Sequence, residues 1–449
     1  MNRFDIYCYG MIVISHSLLL EGDLLKPDEY SELAAAYRFP GGETGTCATV
    51  LASLGADVKI DGTHIGGGAG DFVRNFYGDK SVELGSLCFD SEFAGLEDYV
   101  IVHGDARTPM GTFGDFFTKA WRTGIRHWNK PKEADVADCK VAAIDPFFGD
   151  DSDLAAEYCV KHKKPYVTID CKYDSFLHKH AAVSVISGES IQNNYRGKTR
   201  EELFGLYLDG SDGLTIITNG SKELIYGRKG EKMRRFTPYK VENAKTLGAG
   251  DTFKAGCVYA LLKNMPDEEL VSFASACAAA AISRYPFQLD PPKLGEVKAF
   301  IESRKTAVNF YDSVDDKLLK FAVIISKHKG KYVFCKHRER ETLEVPGGHR
   351  EAGETILETA KRELYEETGA VDFDIKPVCV YSVTARDNFD GQETFGMLYT
   401  ADIREFEPEL HSEIEKTVIT NALPEKWTYP DIQPKLIEEA ERRGALKGF

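Results

Sequence analysis

Over the first 300 residues, short apolar runs alternate with stretches whose apolar positions recur at helical spacing. The runs at 4–13, Val141–Ile144, Tyr166–Ile169, Val183–Ile186 and 214–218 predict strands. The stretches at 44–54, 154–161, 253–262 and the Ala-rich 272–282 predict helices. Such alternation argues for an α/β fold, a mostly parallel sheet with helices on both faces. Residues 305–317 carry Asp315-Asp316 and little apolar periodicity, so a linker is expected there. Beyond it, 318–326, 331–335, 373–380 and 395–401 predict strands, and 432–443 a closing helix. The expected division is therefore 1–304, a linker at 305–317, and 318–449.

One helix in the second block is unusual. Thr355 and Glu358 form a capping box, which starts the helix, and Gly369 is a natural stop. Ile356, Leu357, Ala360 and Leu364 give it an inner face. Glu363, Glu366 and Glu367 then share about 100° of the circumference. Glu363 and Glu367 are a like-charge i,i+4 pair, which a bare helix disfavours. Arg362 offsets Glu366, and nothing nearby in sequence offsets the other two. Hard oxygen ligands clustered in this way suit Mg²⁺ with substrate phosphates.

Gly348, Glu354, Arg362-Glu363-Leu364, Glu366-Glu367 and Gly369 fit every fixed position of the Nudix box, so this block resembles the Nudix hydrolases. Only the final apolar place is weak, holding Ala370. The resemblance implies an α/β/α sandwich that hydrolyses a phosphoanhydride in a nucleoside diphosphate linked to another group. It implies Glu366 and Glu367 as principal metal ligands, Glu363 as ligand or catalytic base, and the Gly347 carbonyl as a further ligand. Arg362 would orient the glutamates. Glu393, in a later loop, is the candidate for an additional ligand. The ending LPEKWTYPDIQPKL is similar to that of small hydrolases that cleanse damaged nucleoside triphosphates such as 8-oxo-dGTP. Trp427 and Tyr429 there offer faces for stacking a base, or for packing the last helix.

Composition narrows the classes. At 449 residues the chain suggests two or three domains, and 43% hydrophobic with 28% charged residues is a globular composition. A formal net charge of −15 argues against a nucleic-acid groove or an anionic membrane surface. Phosphorylated substrates stay compatible, because bound cations reverse the local field. Ten scattered cysteines without C-x-x-C spacing suggest buried, reduced thiols, and hence a cytoplasmic protein. The run from Ile6 to Leu20 is interrupted by Tyr, Ser and His, and reads as strand plus turn rather than a signal peptide.

The second chemical signal is Thr246-Leu247-Gly248-Ala249-Gly250-Asp251-Thr252 leading into an apolar helix. Small residues let backbone amides approach an anion, and a helix N-terminus adds partial positive charge. A carboxylate there can take the proton of an attacking hydroxyl while the amides stabilise the transferred group. With Gly41-Gly42 before a helix, the glycine run Gly66–Gly68 and Thr218-Asn219-Gly220 after a strand, the first 300 residues resemble the PfkB or ribokinase family. That resemblance implies a three-layer α/β/α domain using ATP and Mg²⁺. Asp251 would be the catalytic base, and Gly248, Ala249 and Gly250 the anion hole. Gly41 and Gly42 would touch the acceptor, and Thr218 and Gly220 would lie beside the nucleotide.

Departures from the family pattern concern the acceptor. Ser15 and Thr46 stand where the family has an aspartate and an asparagine. Lys245 replaces an aspartate, Glu223 a glycine, and ISGES leaves Glu189 as the remnant of a metal motif. Hydroxyls bind sugar hydroxyls less strongly than a carboxylate does. The acceptor is accordingly an unusual sugar or a nucleoside, and a nucleoside would place both halves in nucleotide salvage or pool cleaning. The expected function is a bifunctional small-molecule kinase and Mg²⁺-dependent hydrolase. The alternative is a Nudix hydrolase carrying a silent kinase-like binding module. Expected partners are small molecules only, and a homodimer is left open.

Overall fold

The computed structural model describes residues 3–22, 28, 30, 32–104, 106–302, 305–385, 392–407 and 413–447. It divides into two compact units, Met1–Ile301 and Glu302–Phe449.

The first unit is built on a nine-stranded sheet. Its order is Arg234–Phe236, Lys222–Gly227, Leu214–Asn219, Val183–Ile186, Tyr166–Ile169, Val141–Ile144, Ile6–Gly10, Val58–Gly62 and Val82–Glu83. The strands from Leu214–Asn219 onward pair in parallel, and the two before it are antiparallel. Parallel strands covered on both faces read as continuous apolar runs, and Ile6–Gly10, Val141–Ile144 and Val183–Ile186 are buried throughout. Side chains alternate between the faces. Ile6, Cys8, Val141 and Ala143 join one core with helices Gly42–Ser53, Ala249–Leu262 and Asp267–Ile282. Tyr7, Tyr9, Ala142 and Ile144 join the other with helices Asp150–Lys161 and Arg200–Gly210. The result is three layers, α/β/α.

A smaller four-stranded sheet has the order Leu33–Gly41, Val13–Leu20, Glu97–His103, Ala106–Gly111. It corrects the expected single strand at 4–13. The chain leaves the large sheet after Gly10 and enters the small one at Val13. Between them the Met11 N–H donates to Asp145 Oδ2 at 3.1 Å and the Ile12 N–H to Thr63 Oγ1 at 3.1 Å. Side chains thus take the donors a ladder would need.

The second unit is a seven-stranded mixed sheet ordered Ala307–Tyr311, Ala370–Thr384, Thr394–Phe406, Leu319–His328, Lys331–His337, Ile414–Thr420. Gly347–His349 pairs alongside Leu319–His328. Ala322, Ile324 and Val333 face helix Ile356–Thr368, whereas Ile325, Phe334 and Leu398 face helix Gln433–Arg442. The helices therefore cover opposite faces. Residues 305–317 are not a linker throughout. Ala307–Tyr311 pairs antiparallel with Ala370–Thr384, and Val308 and Phe310 pack into the core. The alternation in A-V-N-F-Y supplies a buried face that a short polar-flanked segment hides from a helical count.

All ten cysteines are free, and among the described residues no helix is long and apolar enough to cross a membrane.

Candidate functional site

In open α/β sheets, ligands bind beyond the carboxyl ends of the parallel strands. That edge of the first unit carries Met11 after Ile6–Gly10, Asp145 after Val141–Ile144, Asp170 after Tyr166–Ile169, Glu189 after Val183–Ile186 and Thr218 in Leu214–Asn219. Helix Ala249–Leu262 starts with Gly248 as N-cap at φ 77°, where a side chain would also crowd the Phe287 ring. Asp251 occupies its first turn. The Ala249 N–H donates to the Thr246 carbonyl at 3.2 Å and the Thr252 N–H to that of Gly248 at 3.0 Å. Gly250 and Asp251 lie between, in the turn whose amides have no helical carbonyl to meet.

Burial pushes the Asp251 carboxyl up to about 6; the Lys254 ammonium opposes this and the Asp145 charge reinforces it. Lys254 and Asp145 are both fully buried and form an ion pair. Asp145 also accepts from the Met11 N–H and, at 2.7 Å, from the Thr44 hydroxyl. Burial, then the charges of Asp251 and Asp145, push Glu43 well up, and its Oε2 is buried without a hydrogen-bond partner. Such an oxygen is costly unless a ligand or cation meets it.

The small sheet supplies the acceptor-side residues. Ser15 is buried, opposite Phe39 on one neighbouring strand and Asp98 on the other. Gly41 leaves no room for a side chain against the Ser15 hydroxyl, and Gly42 begins helix Gly42–Ser53, which holds Thr46 buried in its second turn. Burial raises the Asp98 carboxyl, and the Ser15 hydroxyl bonded to it pulls the other way. Asp98 Oδ1 has no partner. Arg107 Nη1 donates to the Thr246 carbonyl at 3.2 Å and Lys245 Nζ to the Gly104 carbonyl, which ties this sheet to the loop before Gly248. Thr218 Oγ1 donates to the Ile186 carbonyl at 3.4 Å, and Gly220 turns the chain into Lys222–Gly227.

In the second unit, Thr355 and Glu358 close the capping box and Gly369 caps helix Ile356–Thr368 in the left-handed conformation. Arg362 is the hub of the acidic face. Its Nε donates to Glu354 at 2.7 Å, its Nη1 to Glu363 at 2.8 Å and Glu366 at 3.0 Å, and its Nη2 to the His349 carbonyl at 2.9 Å. Arg362 thus serves Glu363 as well as Glu366, beyond the i,i+4 partner expected. Any side chain at Gly348 would collide with the Glu363 carboxylate. The Gly347 N–H donates to Glu367 Oε2 at 2.9 Å. Burial pushes Glu367 up to about 8; the Gly347 bond opposes this, and the charges of Glu363, Glu344 and Glu413 add to it. Glu363 is raised by burial, against the pull of Arg362.

Glu363, Glu366 and Glu367 do not converge as a tight triad. A spread set still fits Mg²⁺, which keeps several waters and uses few carboxylates with substrate phosphates. Glu393 is engaged elsewhere, accepting from Ser382 at 2.6 Å and Tyr311 at 2.8 Å. The structure instead brings Glu344 and Glu413 near Glu367. Trp427 packs edge-on against Phe334 at 5.5 Å, and Tyr429 is exposed.

Asp145, Asp170, Lys254, Glu43 and Asp98 were missed by motif reasoning. The first two had a signal: V-A-A-I-D and Y-V-T-I-D are four-residue strand runs that both end on aspartate. Asp98 had none, because its proximity to Ser15 depends on strand register across 83 positions.

The pfkB family carbohydrate kinase description matches residues 192–294 and the NUDIX domain residues 316–439. A 5-dehydro-2-deoxygluconokinase of Clostridium perfringens is 23% identical over 334 residues, spanning 68% of this chain and 94% of that protein. Arabidopsis thaliana ribokinase, solved with ribose and ATP, superposes with a TM-score of 0.56 at 16% identity, covering 67% of this chain and 99% of that one. A nucleoside kinase of Burkholderia thailandensis, solved with inosine, gives 0.52 at 15% identity over 66% of this chain and 98% of that one. The chain therefore joins a PfkB-family carbohydrate kinase region, within a ribokinase-like α/β fold, to a C-terminal NUDIX domain.

Proposed function

We propose that the chain is a bifunctional enzyme. The first unit transfers a phosphoryl group from ATP to a hydroxyl of a small polyhydroxylated acceptor, and the second hydrolyses a phosphoanhydride of a nucleoside di- or triphosphate with Mg²⁺. The observation that carries the kinase half is Asp251 in the first turn of a glycine-led helix at the strand ends. A base with its carboxyl at about 6 is mostly ionised at neutral pH, yet basic enough to accept the hydroxyl proton as the bond to phosphorus forms. Amides of Gly250 and Asp251, which meet no helical carbonyl, would stabilise charge on the transferred group. Mg²⁺, when bound, would neutralise the nucleotide phosphates, with Glu189, the remnant of the metal motif, as a carboxylate that would help to hold it.

A sugar or polyol is favoured over a nucleoside as acceptor. Ser15 does not act alone: the Asp98 carboxylate stands beside it with one oxygen unpartnered, which restores a charged acceptor for substrate hydroxyls. The sugar kinases among the relatives support the same reading.

In the second unit, Glu366 and Glu367 would hold Mg²⁺, with Glu363 as ligand or water-activating base; Arg362 fixes Glu363 and Glu366, and the Gly347 N–H fixes Glu367. Bound Mg²⁺ would polarise the scissile phosphate.

Two variants of the full chain separate the halves. Asp251→Asn should abolish acceptor-dependent ADP release while Mg²⁺-dependent nucleotide hydrolysis stays within about twofold, since independent sites rarely couple. Glu367→Gln should do the reverse. Loss of both activities in either variant, or ADP release by Asp251→Asn at the wild-type rate, would refute the assignment. Turnover of nucleosides but of no sugar in the same assay would transfer the acceptor to the nucleoside class.

A further inference from the structure

Three side chains used by neither site face one another in the first unit. His64 follows strand Val58–Gly62, Asp90 ends strand Phe89–Asp90, and His127 precedes Trp128. Backbone bonds fix the three segments. Ile65–Gly66 pairs in parallel with Phe89–Asp90, and the His64 N–H donates to the His127 carbonyl at 2.8 Å. The ligand atoms of the three side chains all lie within 4.8 Å of one another.

Asp90 Oδ2 is 3.6 Å from His64 Nδ1 and 3.7 Å from His127 Nδ1. Those gaps are too long for good N–H···O hydrogen bonds. They are close to the edge of a coordination tetrahedron, since metal–ligand bonds of about 2.0–2.1 Å place the ligands about 3.4 Å apart. His64 Nδ1 is buried and makes no hydrogen bond of ordinary length. The ligands are also held from behind. Asp90 Oδ1 accepts the Glu92 N–H at 3.0 Å, which leaves Oδ2 to the imidazoles. His127 stacks on Phe93 with centroids 4.1 Å apart. Outer partners of this kind orient ligands in metal sites. Side-chain exposures of 16%, 25% and 35% for His64, Asp90 and His127 leave an entry route from solvent.

We propose that His64, Asp90 and His127 bind one divalent first-row cation, with zinc the best match and a fourth position open to water. Two imidazoles and a carboxylate suit zinc, whereas Mg²⁺ prefers oxygen donors alone. The cation would clamp the exit of Val58–Gly62 to two segments distant in sequence. Thr63, next to His64, receives the Ile12 N–H, so the clamp would stiffen the strand ends at which the kinase site is built.

The test uses the full chain stripped with a chelator and then held in excess Mg²⁺, so that the acidic face of helix Ile356–Thr368 is occupied. Calorimetric titration with Zn²⁺ should show one equivalent bound at micromolar affinity or tighter, together with a rise in the unfolding midpoint. His64→Ala/His127→Ala should lose that equivalent. Asp90→Asn keeps the shape and an oxygen for the Glu92 N–H, and should weaken zinc binding at least about tenfold. Visible absorption of the Co²⁺-loaded chain should fall in parallel. Absence of binding by the wild-type chain, or equal stoichiometry and affinity in wild type and Asp90→Asn, would overturn the proposal.

Discussion

Replacing Lys254 by Met keeps the length of a side chain that is fully buried and removes only its charge. Asp145, equally buried, would retain the Met11 N–H and the Thr44 hydroxyl but lose its counter-ion. Removing one partner of a buried ion pair costs about 3–5 kcal/mol, because the other charge is stranded in a weakly polarisable interior. For a unit of this size about 2 °C of midpoint is lost per kcal/mol, so its transition should fall by about 6–10 °C. Scanning calorimetry of the full chain would read this. Asp145→Asn/Lys254→Met removes both charges and should be more stable than Lys254→Met alone. The same substitution carries a kinetic signature. Lys254 holds Asp251 down against the rise caused by burial, so its loss should move the acidic limb of the kinase pH profile upward from about 6. A midpoint within 1 °C of wild type, set as the threshold of about 0.5 kcal/mol, or strictly additive effects in the cycle, would refute the reasoning.

Two further outcomes follow from other residues. Because the folded-state value of Asp251 lies above its ordinary one, its contribution to stability is present at low pH and is lost as pH rises from about 4 through about 6. Asp251→Asn should therefore match wild type near pH 3.5 but be more stable at pH 8, by about 3 kcal/mol at most, as measured by denaturant unfolding at both pH values; greater stability of wild type at pH 8 would contradict this. Gly348→Ala would place a methyl group against the Glu363 carboxylate, so Mg²⁺-dependent hydrolysis should fall at least about tenfold with unchanged far-ultraviolet dichroism, and full activity would show that Glu363 need not lie there.

The central strands were legible because burial on both faces leaves little polar interruption. Val141–Ile144, Tyr166–Ile169 and Val183–Ile186 begin and end where their apolar runs do. The capping box at Thr355 and the stop at Gly369 were equally plain, since both rest on local geometry. What escaped depended on distant partners. The end of the first strand at Gly10 reflects acceptors from Asp145 and Thr63, which no local pattern contains. Ala307–Tyr311 is a strand through its pairing with Ala370–Thr384. The bond from Arg362 to Glu363 joins adjacent residues, which helical spacing rules treat as facing apart. At the candidate site, the motif pointed to Asp251, but its buried neighbours Asp145 and Lys254 sit 109 positions apart and only the folded sheet joins them.

That separation has a consequence during synthesis. A ribosome adds about 5–20 residues per second, so roughly 5–20 s pass between the emergence of Asp145 and that of Lys254. Throughout that interval the aspartate follows a strand ready to pair but lacks the ammonium that makes its burial affordable. The nascent sheet must keep this edge hydrated, and it can close only once helix Ala249–Leu262 has left the exit tunnel.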